Sequence, residues 1–161
     1  MIRTIAIDDE PLALQLVERY INKTPFLELL AMFDNPLSAI EFIEKETVDL
    51  VFLDIQMPDL TGTAFARQFS GQNSKIVFTT AYEKYAIEGF KLEAVDYLLK
   101  PYSYEEFLFA AQKARKLIEM EQIVTSVNAN NEFLFLKSEY KVHRVNLSEI
   151  LYIEGLKDYV K

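Results

Sequence analysis

The sequence predicts an open α/β domain, a parallel sheet with helices on both faces, followed by a short β-rich segment. Three observations carry this. Up to residue 122, short runs of β-branched and aromatic residues alternate with stretches whose apolar residues recur every three or four positions. The middle run, Leu50-Val-Phe-Leu53, is wholly apolar, as in a strand covered on both faces. Half of the 161 residues are hydrophobic and none is Cys, so a buried core and not a disulfide framework must hold the fold.

Each element has its own signal. Residues 3–7 read as a strand, and Ala13, Leu16, Val17, Tyr20 and Ile21 then step at helical spacing. Residues 27–33 form a second strand. Pro36 opens a helix, as Pro does at a first helical position, with Leu37, Ile40 and Ile43 on one face. The third strand covers residues 49–53, and a loop with Pro58 and Gly62 leads to a short helix around Phe65 and Phe69. Residues 75–79 and 95–99 supply two more strands, separated by a helix over about 83–92 that contains Gly89. The last helix has the cleanest period, through Tyr104, Phe107, Ala111, Ala114 and Ile118.

Composition changes after residue 122. Residues 1–122 hold 12 basic and 20 acidic side chains, whereas residues 123–161 hold five of each, so the net charge of −8 belongs to the first part. The polar stretch Val124-Thr-Ser-Val-Asn-Ala-Asn-Asn131 suggests a linker over 123–131 between a domain at 1–122 and a segment at 132–161. The acidic balance argues against binding nucleic acid by bulk electrostatics. With no Cys and one His, zinc–thiolate sites, thiol nucleophiles and multi-His metal sites are excluded. The four glycines are too far apart for a G-x-G-x-x-G turn or a Walker-type loop. There is no signal-peptide pattern at Met1 and no apolar run of membrane-spanning length, so a soluble, cytoplasmic chain is expected.

In an open α/β sheet, chemistry collects beyond the carboxyl ends of the strands, where strand order reverses. Asp8, Asp9 and Glu10 follow the first strand and Asp54 the third; Thr79-Thr80-Ala81 ends the fourth and Lys100-Pro101 the fifth. Crowded carboxylates repel, by roughly 4 kcal/mol for a pair about 4 Å apart at an effective dielectric near 20. An all-oxygen cluster without His or Cys suits Mg²⁺, or Mn²⁺, better than zinc. A carboxylate beside such an ion can act as a nucleophile toward a phosphoryl group, with a Lys neutralising the transferred oxygens and a hydroxyl gripping one of them. Taken singly these residues have ordinary roles: Asp9 as a helix N-cap, Asp54 as a turn cap, Thr80 as a strand former. Carboxylates, a hydroxyl and an amine on four separate strand ends favour the functional reading.

The motifs Ile7-Asp8-Asp9-Glu10, Leu53-Asp54-Ile55-Gln56-Met57-Pro58 with Gly62, Phe78-Thr79-Thr80-Ala81 and Asp96-Tyr97-Leu98-Leu99-Lys100-Pro101 resemble the receiver domain of bacterial two-component response regulators. The resemblance implies a flavodoxin-like five-stranded parallel sheet. It implies Asp54 as phosphoacceptor, with Asp8, Asp9, Asp54 and the backbone carbonyl of Gln56 holding Mg²⁺. Thr80 takes the switch-hydroxyl position, with Thr79 as its inward-facing neighbour, Tyr97 the switch-aromatic position and Lys100 the phosphate-binding position, with a cis bond to Pro101. Gln56 and Tyr82, two residues beyond Asp54 and Thr80, would tune dephosphorylation. A sensor histidine kinase is the implied donor, and a homodimer the implied product of phosphorylation. In that reading the chain is a phosphoacceptor switch and not an enzyme.

The tail, with Phe133-Leu-Phe-Leu-Lys137, Val142-His-Arg-Val145 and Asn146-Leu-Ser-Glu-Ile-Leu-Tyr-Ile-Glu154, resembles the opening of a LytTR-type DNA-binding domain. That module is longer than residues 132–161, so an incomplete N-terminal part is expected, with DNA binding left to the complete regulator. Two rival functions are weaker. A Mg²⁺-dependent phosphohydrolase with an aspartyl-phosphate intermediate resembles haloacid dehalogenases, which carry a second Asp where Gln56 stands. A flavodoxin-like binding module without phosphoryl chemistry lacks its phosphate-cradling loop after the first strand. His143 reads as a solvent-facing strand residue, and Lys113, Arg115 and Lys116 as partners of a helix dipole.

Overall fold

The structure, a computed structural model, describes residues 1–68, 74–81, 94–129, 133–138, 141–146, 155–156 and 159–160. The helix expected over residues 83–92, Phe69 and Tyr82 lie outside these. Strands β1 (Ile2–Ile7), β2 (Leu27–Phe33), β3 (Leu50–Asp54), β4 (Lys75–Thr80) and β5 (Asp96–Leu99) form one parallel sheet in the order β2-β1-β3-β4-β5. The described helices are α1 (Pro11–Asn22), α2 (Pro36–Ile43), α3 (Gly62–Gln68) and α4 (Tyr104–Ala129). The expected doubly wound, flavodoxin-like sheet is therefore present.

Two buried clusters cover the sheet. On one face Phe52 and Val77 meet Val17 and Ile21 of α1 and Phe107, Ala110, Ala111 and Ala114 of α4. The three alanines let α4 lie close to the strands, and Phe107 stacks on Phe52 with ring centroids 4.6 Å apart. On the other face Ile5, Ile7, Val51, Leu53 and Phe78 pack with Ala39 and Ile43 of α2 and Phe65 of α3. Alternation along β3 explains the division: Leu50 and Phe52 serve the first cluster, Val51 and Leu53 the second.

The boundaries differ from expectation in ways that bear on function. β3 runs one residue later and includes Asp54, while Asp49 closes on β1, its Oδ2 accepting from the Arg3 N–H at 2.8 Å. β4 likewise includes Thr80. Asn35 caps α2, accepting from the Ser38 N–H at 2.9 Å, ahead of Pro36. Ser103 and Glu106 form a reciprocal capping box at the start of α4.

α4 continues to Ala129, so residues 123–129 of the expected linker are helical, and the compact units are Met1–Ile118 and Glu119–Lys161. Residues 123–129 hold neither Pro nor Gly, and extending a helix is far easier than nucleating one. In the second unit β6 (Phe133–Ser138) and β7 (Lys141–Asn146) form an antiparallel hairpin in which His143 pairs with Leu136. Among the described residues two further short strands, β8 (Gly155–Leu156) and β9 (Tyr159–Val160), pair antiparallel.

Candidate functional site

The strand order reverses between β1 and β3, which are neighbours although β2 intervenes in the chain. Their carboxyl ends bring Asp8 and Asp54 together. Both are buried, at 2 % and 4 % exposure, whereas Asp9 faces solvent. One carboxylate oxygen from each of Asp8, Asp9 and Asp54 lies within 4.8 Å of the others.

Local backbone geometry holds these side chains. The Glu10 N–H donates to Asp8 Oδ1 at 3.0 Å, and the Gln56 N–H donates to Asp54 Oδ2 at 2.8 Å. Asp54 thus performs the turn-capping role foreseen for it and still presents Oδ1 to the site. Asp9 does not cap α1, whose N-cap is Glu10. Gly62 closes the β3–α3 loop, its N–H donating to the Ile55 carbonyl at 2.9 Å. Asp59, in the same loop, adopts a left-handed φ of 66°.

Lys100 arrives from the end of β5. Its Nζ lies 2.7 Å from Asp8 Oδ2 and 3.1 Å from Asp54 Oδ1, so one ammonium bridges two carboxylates. The Lys100 N–H donates to the Thr80 carbonyl at 2.7 Å, and the Lys100–Pro101 peptide bond is cis. Burial pushes Asp54 up to about 6, assisted by the charge of Asp8 and opposed by Lys100. Burial also raises Asp8 against the pull of Lys100. Burial acts to lower Lys100, but its contacts with Asp8 and Asp54 outweigh this and hold the ammonium above its usual range. Among the described residues a single ammonium faces the cluster, which leaves it short of positive charge. An oxygen-only donor set with that deficit fits a hard divalent cation.

Asp54 pairs in register with Thr79, and the Ile55 N–H donates to the Thr79 carbonyl at 3.1 Å. Thr79 and Thr80 are both buried. Strand alternation puts Thr80 on the same face as Phe78, whose ring stacks on Tyr97 at 5.2 Å. The Tyr97 hydroxyl is shielded from solvent, has no hydrogen-bond partner among the described residues, and is pushed up to about 12 by burial. Gln56 is exposed beside Asp54. Glu10, given no role by the motifs, reaches to 3.7 Å from Lys100 Nζ. Its acidic side chain next to Asp8 and Asp9 was the only signal in the sequence.

Residues 4–112 match the family model described as the response regulator receiver domain. Among curated proteins, the chain is 33% identical to the sensory transduction protein LytT of Bacillus anthracis, over 98% of this chain and 67% of that protein. It is 31% identical to the transcriptional regulatory protein YpdB of Escherichia coli (strain K12), over 95% of this chain and 65% of that one. The chain thus spans about two thirds of the length of these relatives. Among solved structures, the response regulatory domain of MrkE from Klebsiella pneumoniae superposes with a TM-score of 0.69 at 36% identity, covering 74% of this chain and 99% of that one. TrrA from Thermotoga maritima, solved in complex with Mg(2+)-BeF, gives 0.63 at 27% identity over 71% and 99%. Among the described residues no helix is long and apolar enough to cross a membrane.

Proposed function

The chain belongs to the two-component response regulators, whose receiver domain it carries, and from that premise we propose that Asp54 is its phosphoacceptor. The observation that carries the reading is the buried Asp54 carboxylate, paired with Lys100 and clustered with Asp8 and Asp9 at the reversal of strand order. An Asp54 oxygen attacks phosphorus, the new O–P bond forms as the donor's bond to phosphorus breaks, and the electron pair leaves with the donor. Lys100 offsets charge on the transferred oxygens. Asp8, Asp9, Asp54 and the Gln56 backbone carbonyl would hold Mg²⁺, with Mn²⁺ as a substitute; when bound, the ion supplies charge neutralisation at the phosphoryl oxygens.

Thr80 and Tyr97 are the proposed switch pair. A phosphoryl group rewards the Thr80 hydroxyl only in the modified state, which is the differential interaction a switch requires. The Tyr97 ring already stacks on Phe78, so on this reading Thr80 acts against a side chain that is partly turned in. Gln56 and Tyr82 are proposed to tune loss of the phosphoryl group. The donor would be a sensor histidine kinase, the setting cytoplasmic, and the modified form a homodimer. The family favours this switch over a phosphohydrolase. Residues 1–122 are proposed as the receiver, 123–131 as its connector and 132–161 as the opening of a LytTR-type module. A DNA-reading output is proposed only for a longer regulator.

Incubation with Mg²⁺ and acetyl phosphate, followed by intact-mass spectrometry, should add one phosphoryl group. Asp54→Ala should carry none, and Asp9→Ala should acquire it more slowly. An undiminished adduct in Asp54→Ala would sink the assignment. In the same experiment Thr80→Ala should still be modified but lose any modification-dependent gain in dimer by light scattering; parent-like dimerisation would count against the switch.

A further inference from the structure

Glu10 occupies the N-cap of α1, where a side-chain oxygen ordinarily accepts from the first free N–H groups of the helix. Its backbone is extended, with φ −91° and ψ 113°, yet its side chain makes no capping bond. The Glu10 N–H is committed to Asp8, and its carbonyl accepts from the N–H groups of Ala13 and Leu14. With the backbone anchored on both sides, the carboxylate turns toward Lys100, Oε2 lying 3.7 Å from Nζ with the side chain 68 % exposed. Among the described residues Lys100 therefore has three carboxylate claimants.

We propose that Glu10 is a positioning residue that competes with the phosphoryl group for Lys100 and so weakens the phosphorylated state. The inference rests on Asp54 being the phosphoacceptor. Before modification, Glu10 and Lys100 attract each other. A phosphoryl group on Asp54 adds oxygens that require the same ammonium, and the Glu10 charge then repels them. Glu10 thus favours the unmodified over the modified state, which is what shifts an equilibrium. Its exposure limits the size of the effect, because water and salt screen an exposed charge.

The test uses the full 161-residue chain, saturating Mg²⁺ and beryllofluoride, which stands in for the phosphoryl group on a carboxylate. Calorimetric titration should show Glu10→Gln binding about two- to fivefold more tightly than the parent at low ionic strength. The gain should narrow in high salt, a response that a purely structural role would not produce. Glu10→Ser, which restores a preferred N-cap and also removes the charge, should show the same gain even if the Gln variant folds poorly. Equal or weaker binding in both variants overturns the proposal. Absence of beryllofluoride binding by the parent itself would instead count against the Asp54 assignment on which it rests.

Discussion

Replacing Lys100 with Met should lower the stability of the metal-free chain at pH 7.5 by about 3 kcal/mol, because breaking a buried ion pair strands its partners. A loss of that size corresponds to a fall in Tm of roughly 10 °C for a domain of this length. Two partners are stranded here, since Asp8 and Asp54 are both buried and both lean on this one ammonium. The pH dependence fixes the cause. Asp54 is raised in the folded state from 3.8 to about 6, and Asp8 is raised as well. A carboxyl group with a raised folded value contributes stability that is complete below its unfolded value and lost as pH rises through the folded one. Because losing Lys100 raises both carboxyls further, the deficit of Lys100→Met should be largest well above pH about 6 and fade below it, where protons replace the missing ammonium. Mg²⁺ should raise the Tm of the variant more than that of the parent, because it meets a more negative cluster. Adding Asp54→Asn should recover part of the loss. Thermal melts within 2 °C of the parent (about 0.5 kcal/mol) in metal-free buffer would contradict this account.

The second large effect is expected at Gly62. A Cβ added there would overlap the carbonyl oxygen of Asp54 outright and lie 3.0 Å from Asp54 C and Ile55 Cα. These are backbone atoms at the end of a central strand, so no rotamer change can relieve the clash. Either α3 moves away, breaking the Gly62 N–H bond to Ile55, or the end of β3 shifts and takes the Asp54 carboxylate with it. Gly62→Ala should cost about 3 kcal/mol, the upper part of the range for overpacking a rigid site. It should also weaken Mg²⁺ binding, measured by calorimetry, more than a change of similar volume distant from the loop. An unchanged melting temperature with unchanged Mg²⁺ affinity would show that the loop can make room.

Much of this molecule is legible in one dimension. Strands and helices announce themselves through alternation and through three-and-four spacing, because side-chain direction repeats every two residues in one and every 3.6 in the other. The unbroken apolar run of β3 marks a strand covered on both sides, and the two packed faces bear that out. The gathering of polar residues at the strand ends was legible for a related reason: in a parallel sheet every carboxyl end lies on the same side, so Asp8, Asp54, Thr80 and Lys100 share one end of it.

The end of a helix is harder to read. The Asn-rich stretch after Ile123 reads as a linker by composition, yet the backbone stays helical to Ala129, since weak helix formers are tolerated when the helix is already under way.

The order and type of the described elements, and the residue types at the strand ends, were thus written in the chain's linear pattern. Their meeting was settled only by folding in three dimensions: Lys100 bridges Asp8 and Asp54, Asp54 registers against Thr79, Glu10 turns from its helix toward Lys100, and Gly62 is required for space. The physical reason is range. Periodicity is set by bonds between neighbours in the chain, whereas most of these contacts join residues far apart in it, and distances of a few ångströms between them depend on strand order, register and packing together.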